Sequence, residues 1–283
     1  MPKRFALIAV SLAALALVIA HAPVPPRSTV ALGSMGHGPA VVLVHGLGSG
    51  AEHWLPVARN LSRDHRVVFV ELPGHGIADM PGALTLDGAA AGLDRAIAEQ
   101  CDQPVVLVGH SVGGLVAMAE ALRSPSRVRA LVLVETALRP QISAADRDGL
   151  LSALEHDYRN TLRASYSSFG RDSAQGAALF NGAARLDSTA IKTWIRFAVT
   201  TDLSGRAGEL RMPLLVVLSD RSWPAGESWV ACADTLGYGR AHSVTSVRVP
   251  GTGHFIMLDR PALLADMIRR FERGAGAPVV AVR

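Results

Sequence analysis

The chain has 283 residues and is short of cysteine, of aromatic residues and of charge. Each shortage narrows what it can be. Two cysteines cannot build a disulfide scaffold, and no C-x-x-C or H-E-x-x-H spacing offers a metal site. Aromatics make up 5% and do not interleave with any basic run, so the formal charge of +4, spread among acids, argues against a nucleic-acid surface. No repeat period is visible, which argues against a solenoid. Charged residues reach only 18% against 49% hydrophobic, too apolar a balance for a disordered chain. What remains is a globular protein large enough to bury a sizeable core.

The first residues read as an address. Lys3-Arg4 precedes an apolar stretch over residues 5–20, broken only by Ser11, and Ala20-His21-Ala22 supplies an A-x-A site. This is the pattern of a secretory signal over residues 1–22, with an apolar run short of the ~20 residues of a membrane span. Pro23 would follow the cut and hinder it. The alternative is therefore an uncleaved anchor, a membrane tether through residues 5–20. Under both readings the rest of the chain is exported, to the periplasm or beyond. Residues 23–39 are expected to form a proline-rich linker and one short opening strand at 28–32.

Beyond the linker, short apolar runs alternate with amphipathic ones. The pattern predicts strands at 41–45, 66–71, 105–108, 128–134, 214–218 and 244–249, and helices at 54–60, 86–99, 113–123 and 261–273. Strands that are apolar throughout and separated by helices predict a mostly parallel sheet with helices on both faces, an α/β fold. Residues 137–211 break this rhythm with helical patterns at 143–168, 173–186 and 188–199 and no convincing strand. They are expected to form a helical insertion, a lid over a core of residues 40–136 and 212–273, with a loose tail at 274–283. Cys101 precedes one strand and Cys232 lies in a helical stretch after another, so two buried free thiols are expected.

Three motifs carry chemistry. Gly109-His110-Ser111-Val112-Gly113-Gly114 fits G-x-S-x-G between a strand and a helix, the setting of a nucleophile elbow. His45-Gly46-Leu47-Gly48 ends an earlier strand; the Leu47 and Val112 N–H groups could together hold an oxyanion. The same glycines resemble a dinucleotide fingerprint, but the spacing is G-x-G-x-G, so no nicotinamide cofactor is expected. Gly251-Thr252-Gly253-His254-Phe255 follows the last strand and places a histidine where a general base is needed. Two carboxylates could orient it. Asp220, after the strand at 214–218, is preferred because it gives the order Ser, Asp, His. Glu135, after the strand at 128–134, is the alternative.

Together with Leu72-Pro73-Gly74-His75-Gly76, these motifs resemble the α/β-hydrolase superfamily, and in particular its lid-bearing serine hydrolases. The resemblance covers about residues 40 to 272. It implies an ester or related acyl hydrolase with a small-molecule ester or acyl substrate and neither metal nor organic cofactor. The related activities are monoacylglycerol lipase, carbon–carbon hydrolase, aminopeptidase and perhydrolase, and a binding protein on the same fold is a further alternative. An aminopeptidase would need insertion acids near the substrate amine, for which Asp146, Asp148, Glu155 and Asp157 are candidates. The insertion aromatics Tyr158, Tyr166, Phe169, Phe180, Trp194 and Phe197 either line an acyl pocket or pack the insertion onto the core. Two departures stand out. Glu71 replaces the usual aspartate before the Leu-Pro-Gly-His-Gly turn. In the usual Gly-x-x-Asp acid turn, Ser219 takes the glycine position and Ser222 the aspartate position, with Asp220 two residues early.

Overall fold

A computed structural model describes residues 28–274. The signal or anchor expected at 1–22, and all but the first residue of the tail at 274–283, lie outside the described residues. Seven strands form one sheet: β1 (Val30–Met35), β2 (Ala40–Val44), β3 (Arg66–Glu71), β4 (Val105–His110), β5 (Val128–Val134), β6 (Leu214–Ser219) and β7 (Val244–Val249). Their spatial order is β1-β3-β2-β4-β5-β6-β7. Only β1 runs antiparallel, against β3; every other neighbouring pair is parallel. Among the described residues one strand precedes β2; it begins two residues later than the opening strand expected at 28–32 and runs to Met35.

The sheet is buried because its strands are apolar on both sides. Val42 and Val44 face one core, Val41 and Leu43 the other. The first core is closed by α2 (Leu86–Gln100), α3 (Val112–Arg123) and α8 (Trp229–Leu236). The second is closed by α1 (Leu55–Leu61), the one-turn α9 (Ile256–Asp259) and α10 (Pro261–Glu272). Edge strand β1 alternates between half-buried and exposed residues at its outer end, as a strand with one wet face should. Cys101 and Cys232 are both buried and free.

Between β5 and β6 lie α4 (Ala144–His156), α5 (Tyr158–Phe169), α6 (Ser173–Ala183) and α7 (Ser188–Thr200). The helical stretch expected at 143–168 is two helices. Asp157 leaves helical geometry at φ −143° and ψ 61°, and its side chain accepts a bond from Asn160 Nδ2 at 3.1 Å in the following turn. Such local side-chain bonding competes with helix continuation. Among the described residues, no helix is long and apolar enough to cross a membrane.

The chain leaves β2 toward β3 on one side and reaches β4 on the other. The loops after β2 and β4 therefore diverge at the carboxyl edge of the sheet. That switch point is where ligands bind in open parallel sheets.

Candidate active site

Ser111 ends β4 and heads α3 with φ 53° and ψ −124°, a left-handed conformation that costs a non-glycine residue about 1–3 kcal/mol. Three bonds impose it: Ser111 N–H to Val134 O (2.9 Å), Gly114 N–H to Ser111 O (2.9 Å) and Thr136 Oγ1 to Ser111 O (3.1 Å). The surrounding glycines are required by close approach. A Cβ on Gly109 would stand 2.6 Å from Gly114 Cα, and one on Gly113 would run into the His45 carbonyl. Helix and strand touch there as they could not with larger residues.

Val112 opens α3, so its N–H has no carbonyl in the preceding turn. The other proposed donor, Leu47, sits in a loop braced from beneath by two buried histidines. His45 Nδ1 donates to Gly46 O (2.8 Å) and its Nε2 accepts from Leu72 N (3.0 Å). His75 Nε2 accepts from Gly48 N (3.0 Å) and its Nδ1 donates to Pro73 O (3.1 Å). Burial pushes His45 down to about 3, aided by the neighbouring His75, and burial pushes His75 down to about 4. Both are neutral at working pH, which lets one ring nitrogen donate and the other accept. Glu71 accepts from Ala51 N (3.1 Å) at the far end of the loop, and burial holds its carboxyl above the ordinary range. From the insertion, Tyr166 donates its hydroxyl to Leu47 O (2.8 Å).

The acid is where the expectation needs correction. Asp220 does not meet His254. Ser219, at the end of β6, pairs with Val249 of β7, and Asp220 follows alongside β7. There Arg248 Nη1 reaches its Oδ1 (3.0 Å) and Gly251 N its Oδ2 (2.8 Å). Asp220 is a half-buried turn brace. Glu135, the alternative, is the residue the structure brings to His254: its Oε2 lies 3.0 Å from His254 Nδ1. Its side chain is fully buried, and its own φ is 50°. Because β6 lies between β5 and β7, the β6 turn flanks this pair. Ser219 N–H donates to Glu135 Oε1 (2.5 Å), and Ser222 Oγ donates to Oε2 (2.9 Å).

His254 is also held by its backbone and ring. Its N–H donates to Phe169 O (2.9 Å), and its carbonyl accepts from His110 Nε2 (2.9 Å). The Phe169 ring stacks on the imidazole at 4.8 Å and 27°, with the Arg221 guanidinium 5.2 Å from the Phe169 ring. Asp259 ties this loop to the insertion, accepting from Gly253 N (2.8 Å), Arg171 Nη1 (2.9 Å) and Gln175 Nε2 (2.7 Å). With Nδ1 committed to a carboxylate, the tautomer leaves Nε2 to accept a proton.

Ser111, Val112, Glu135 and His254 line one cavity of about 600 Å³. Leu115, Ile142, Val199 and Leu236 give it an apolar wall, and Arg139, Arg221 and Glu227 add charge. Of the insertion aromatics, only Phe169 lines this cavity; Tyr166, Phe180 and Trp194 are buried in the cores. The insertion acids Asp146, Asp148, Glu155 and Asp157 are exposed and are not among the cavity residues. Among the described residues, no group of three His, Cys, Asp or Glu is gathered to hold a metal ion.

The Asp259 tie left no mark in the sequence, and nothing local told Phe169 and Tyr166 apart from the other insertion aromatics. Ser219 and Ser222 did leave a mark, because they break the expected acid turn.

A positive-φ serine between strand and helix, sharing a cavity with a carboxylate-bound histidine, is the arrangement of a serine hydrolase on a parallel sheet. Comparison with known proteins gives the family. Residues 41–267 match the model of the alpha/beta hydrolase family, and the chain belongs to that family. It is 31% identical to a pimeloyl-[acyl-carrier protein] methyl ester esterase of Cronobacter sakazakii over 221 residues, 67% of this chain and 83% of that one. It is also 31% identical over 272 residues to the polyketide synthase ThaQ of Burkholderia thailandensis. That match takes in 86% of this chain but only 12% of ThaQ's length. Among solved structures, an esterase from Exiguobacterium antarcticum superposes with a TM-score of 0.74 at 16% identity, covering 85% of this chain and 94% of its own. That degree of likeness speaks for the fold.

Proposed function

We propose that this chain is a carboxylic ester hydrolase that works through an acyl-enzyme on Ser111. Ser111 Oγ attacks the ester carbonyl carbon while His254 Nε2 takes its proton. Glu135 holds the imidazole in the required tautomer and stabilises the imidazolium. The Leu47 and Val112 N–H groups hold the oxyanion. As the C–O bond breaks, His254 returns the proton to the departing alkoxide, giving the alcohol. Water, deprotonated by His254, then attacks the acyl carbonyl carbon, and His254 returns that proton to Ser111 Oγ as its bond to the acyl group breaks, releasing the acid and free Ser111.

The observation that carries this reading is the His254 Nδ1–Glu135 Oε2 contact beside a strained serine in one cavity. The Cronobacter relative is a methyl ester esterase, which supports the ester as the bond cleaved. The cavity's size and apolar wall suit a small or medium acyl or alcohol group.

The test is labelling by a fluorophosphonate, followed by a panel of p-nitrophenyl esters. Wild type should label and hydrolyse, while Ser111→Ala and His254→Ala should do neither. A folded wild type that fails to label overturns the proposal. For the chain's destination, we propose export directed by residues 1–22, from the Lys3-Arg4, apolar-run and A-x-A pattern. Mass spectrometry of the mature N-terminus separates cleavage after Ala22 from a retained anchor.

A further inference from the structure

We infer that Ser222 is a positioning residue for Glu135, fixing its carboxylate and setting how strongly it holds the protonated His254. The inference rests on the ester-hydrolase reading above. A fully buried carboxylate stays ionised only if donors replace the water it has lost. Glu135 has three: Ser219 N–H on Oε1, and Ser222 Oγ–H and His254 Nδ1–H on Oε2. The Ser222 hydroxyl therefore shares one oxygen with the imidazole. It is itself held in place, with its N–H on Ser219 O (3.2 Å) and its carbonyl accepting from Cys232 Sγ (3.6 Å). Ser222 occupies the turn position where the sequence would lead one to expect an acid. With the acid supplied from β5, a second carboxylate here would repel the first, whereas a hydroxyl completes its hydrogen bonding.

Removing the hydroxyl leaves Oε2 to the imidazole alone. The carboxylate becomes more basic and holds the imidazolium more tightly, so the base stays protonated to higher pH. It also loses one of the bonds that fix it. The groups around the pair do not confuse this readout. His110, whose ring is 4.8 Å from that of His254, is kept neutral by burial and by the His254 charge. Cys232 is pushed up to about 11, chiefly by burial, and Tyr238 is pushed up for the same reason. The other charged groups nearby are Arg221, beyond Phe169, and Glu227, on the cavity wall.

The experiment measures kcat and KM for a p-nitrophenyl ester from pH 5 to 9 on the full chain. Ser222→Ala should move the acid limb of kcat/KM up by about half a pH unit and lower plateau kcat about 3- to 30-fold, with KM little changed. Ser222→Thr keeps the hydroxyl and should restore both. Ser222→Cys, a weaker donor of similar shape, should fall between them. The pH dependence of fluorophosphonate labelling gives the same limb without turnover, and melting curves show whether each variant is folded. An unshifted limb in Ser222→Ala, or a Ser222→Thr that behaves like Ser222→Ala, overturns the inference. A wild type that neither labels nor hydrolyses instead removes the parent reading, and this one with it.

Discussion

The two halves of the site are built by different means. The half around Ser111, the proposed nucleophile, is backbone: Ser111 at φ 53°, Gly109 and Gly113 pressed against neighbouring chain, and Leu47 in a loop whose amides and carbonyls are held by His45 and His75. The half around His254, the proposed base, is side chain: an imidazole, a carboxylate and a serine hydroxyl drawn from three separate turns, with Phe169 from the insertion stacked over them. Backbone geometry depends on residue type at fixed spacing and tolerates no exchange. A side-chain network can be supplied from more than one place, provided the atoms meet.

The sharpest break of this comparison is in the base half. Glu135→Gln keeps the shape but loses the charge and the tautomer control, and should lower kcat by about 10⁴. Asp220→Asn, which disturbs only the link to Arg248 and Gly251, should stay within tenfold. Steady-state kinetics on the two variants decides between them, and the reverse order would return the acid to Asp220.

That contrast also explains what could be read from the sequence. Strands β2 to β6 were legible because each is a short apolar run buried on both sides, whereas the half-exposed β1 was placed two residues early. The turns that carry Ser111 and His254 were legible because glycines at fixed offsets mark them. The acid was not. Nothing local to Glu135 announces a positive φ or a partner 119 residues away. Order along the chain favoured Asp220, and only the pairing of β6 with β7 shows that Arg248 claims it. The split of the insertion at Asp157 was hidden for a similar reason, since the apolar pattern runs on through the break.

The backbone half should fail by losing structure rather than chemistry. Gly113→Ala places a methyl group against the His45 carbonyl, a fixed backbone atom that no rotamer change can clear. We expect a stability loss on the order of 3 kcal/mol, read as a lower urea midpoint, together with lost labelling of Ser111. Ser222→Ala on the other half should leave the midpoint nearly unchanged. If Gly113→Ala melts like wild type, the elbow is less tightly packed than its geometry implies.

The smallest effect on activity, and the one that separates the scaffold from the site, concerns α3 behind the nucleophile. Glu120 is completely buried on this helix, beside Asp94 and Ser124. Burial, reinforced by the charge of Asp94, raises its pKa from 4.5 to about 8. The folded state then holds a proton that the unfolded chain releases near pH 4.5. The stability this gives is full below that pH, and falls as pH rises until it is lost above about 8. Glu120→Gln removes the titration. It should match wild type near pH 4 and exceed it at pH 9, by on the order of 3 kcal/mol. Urea unfolding at the two pH values measures this, and kcat at pH 7 should not move. A variant whose advantage is the same at both pH values would mean that Glu120 is ionised in the fold.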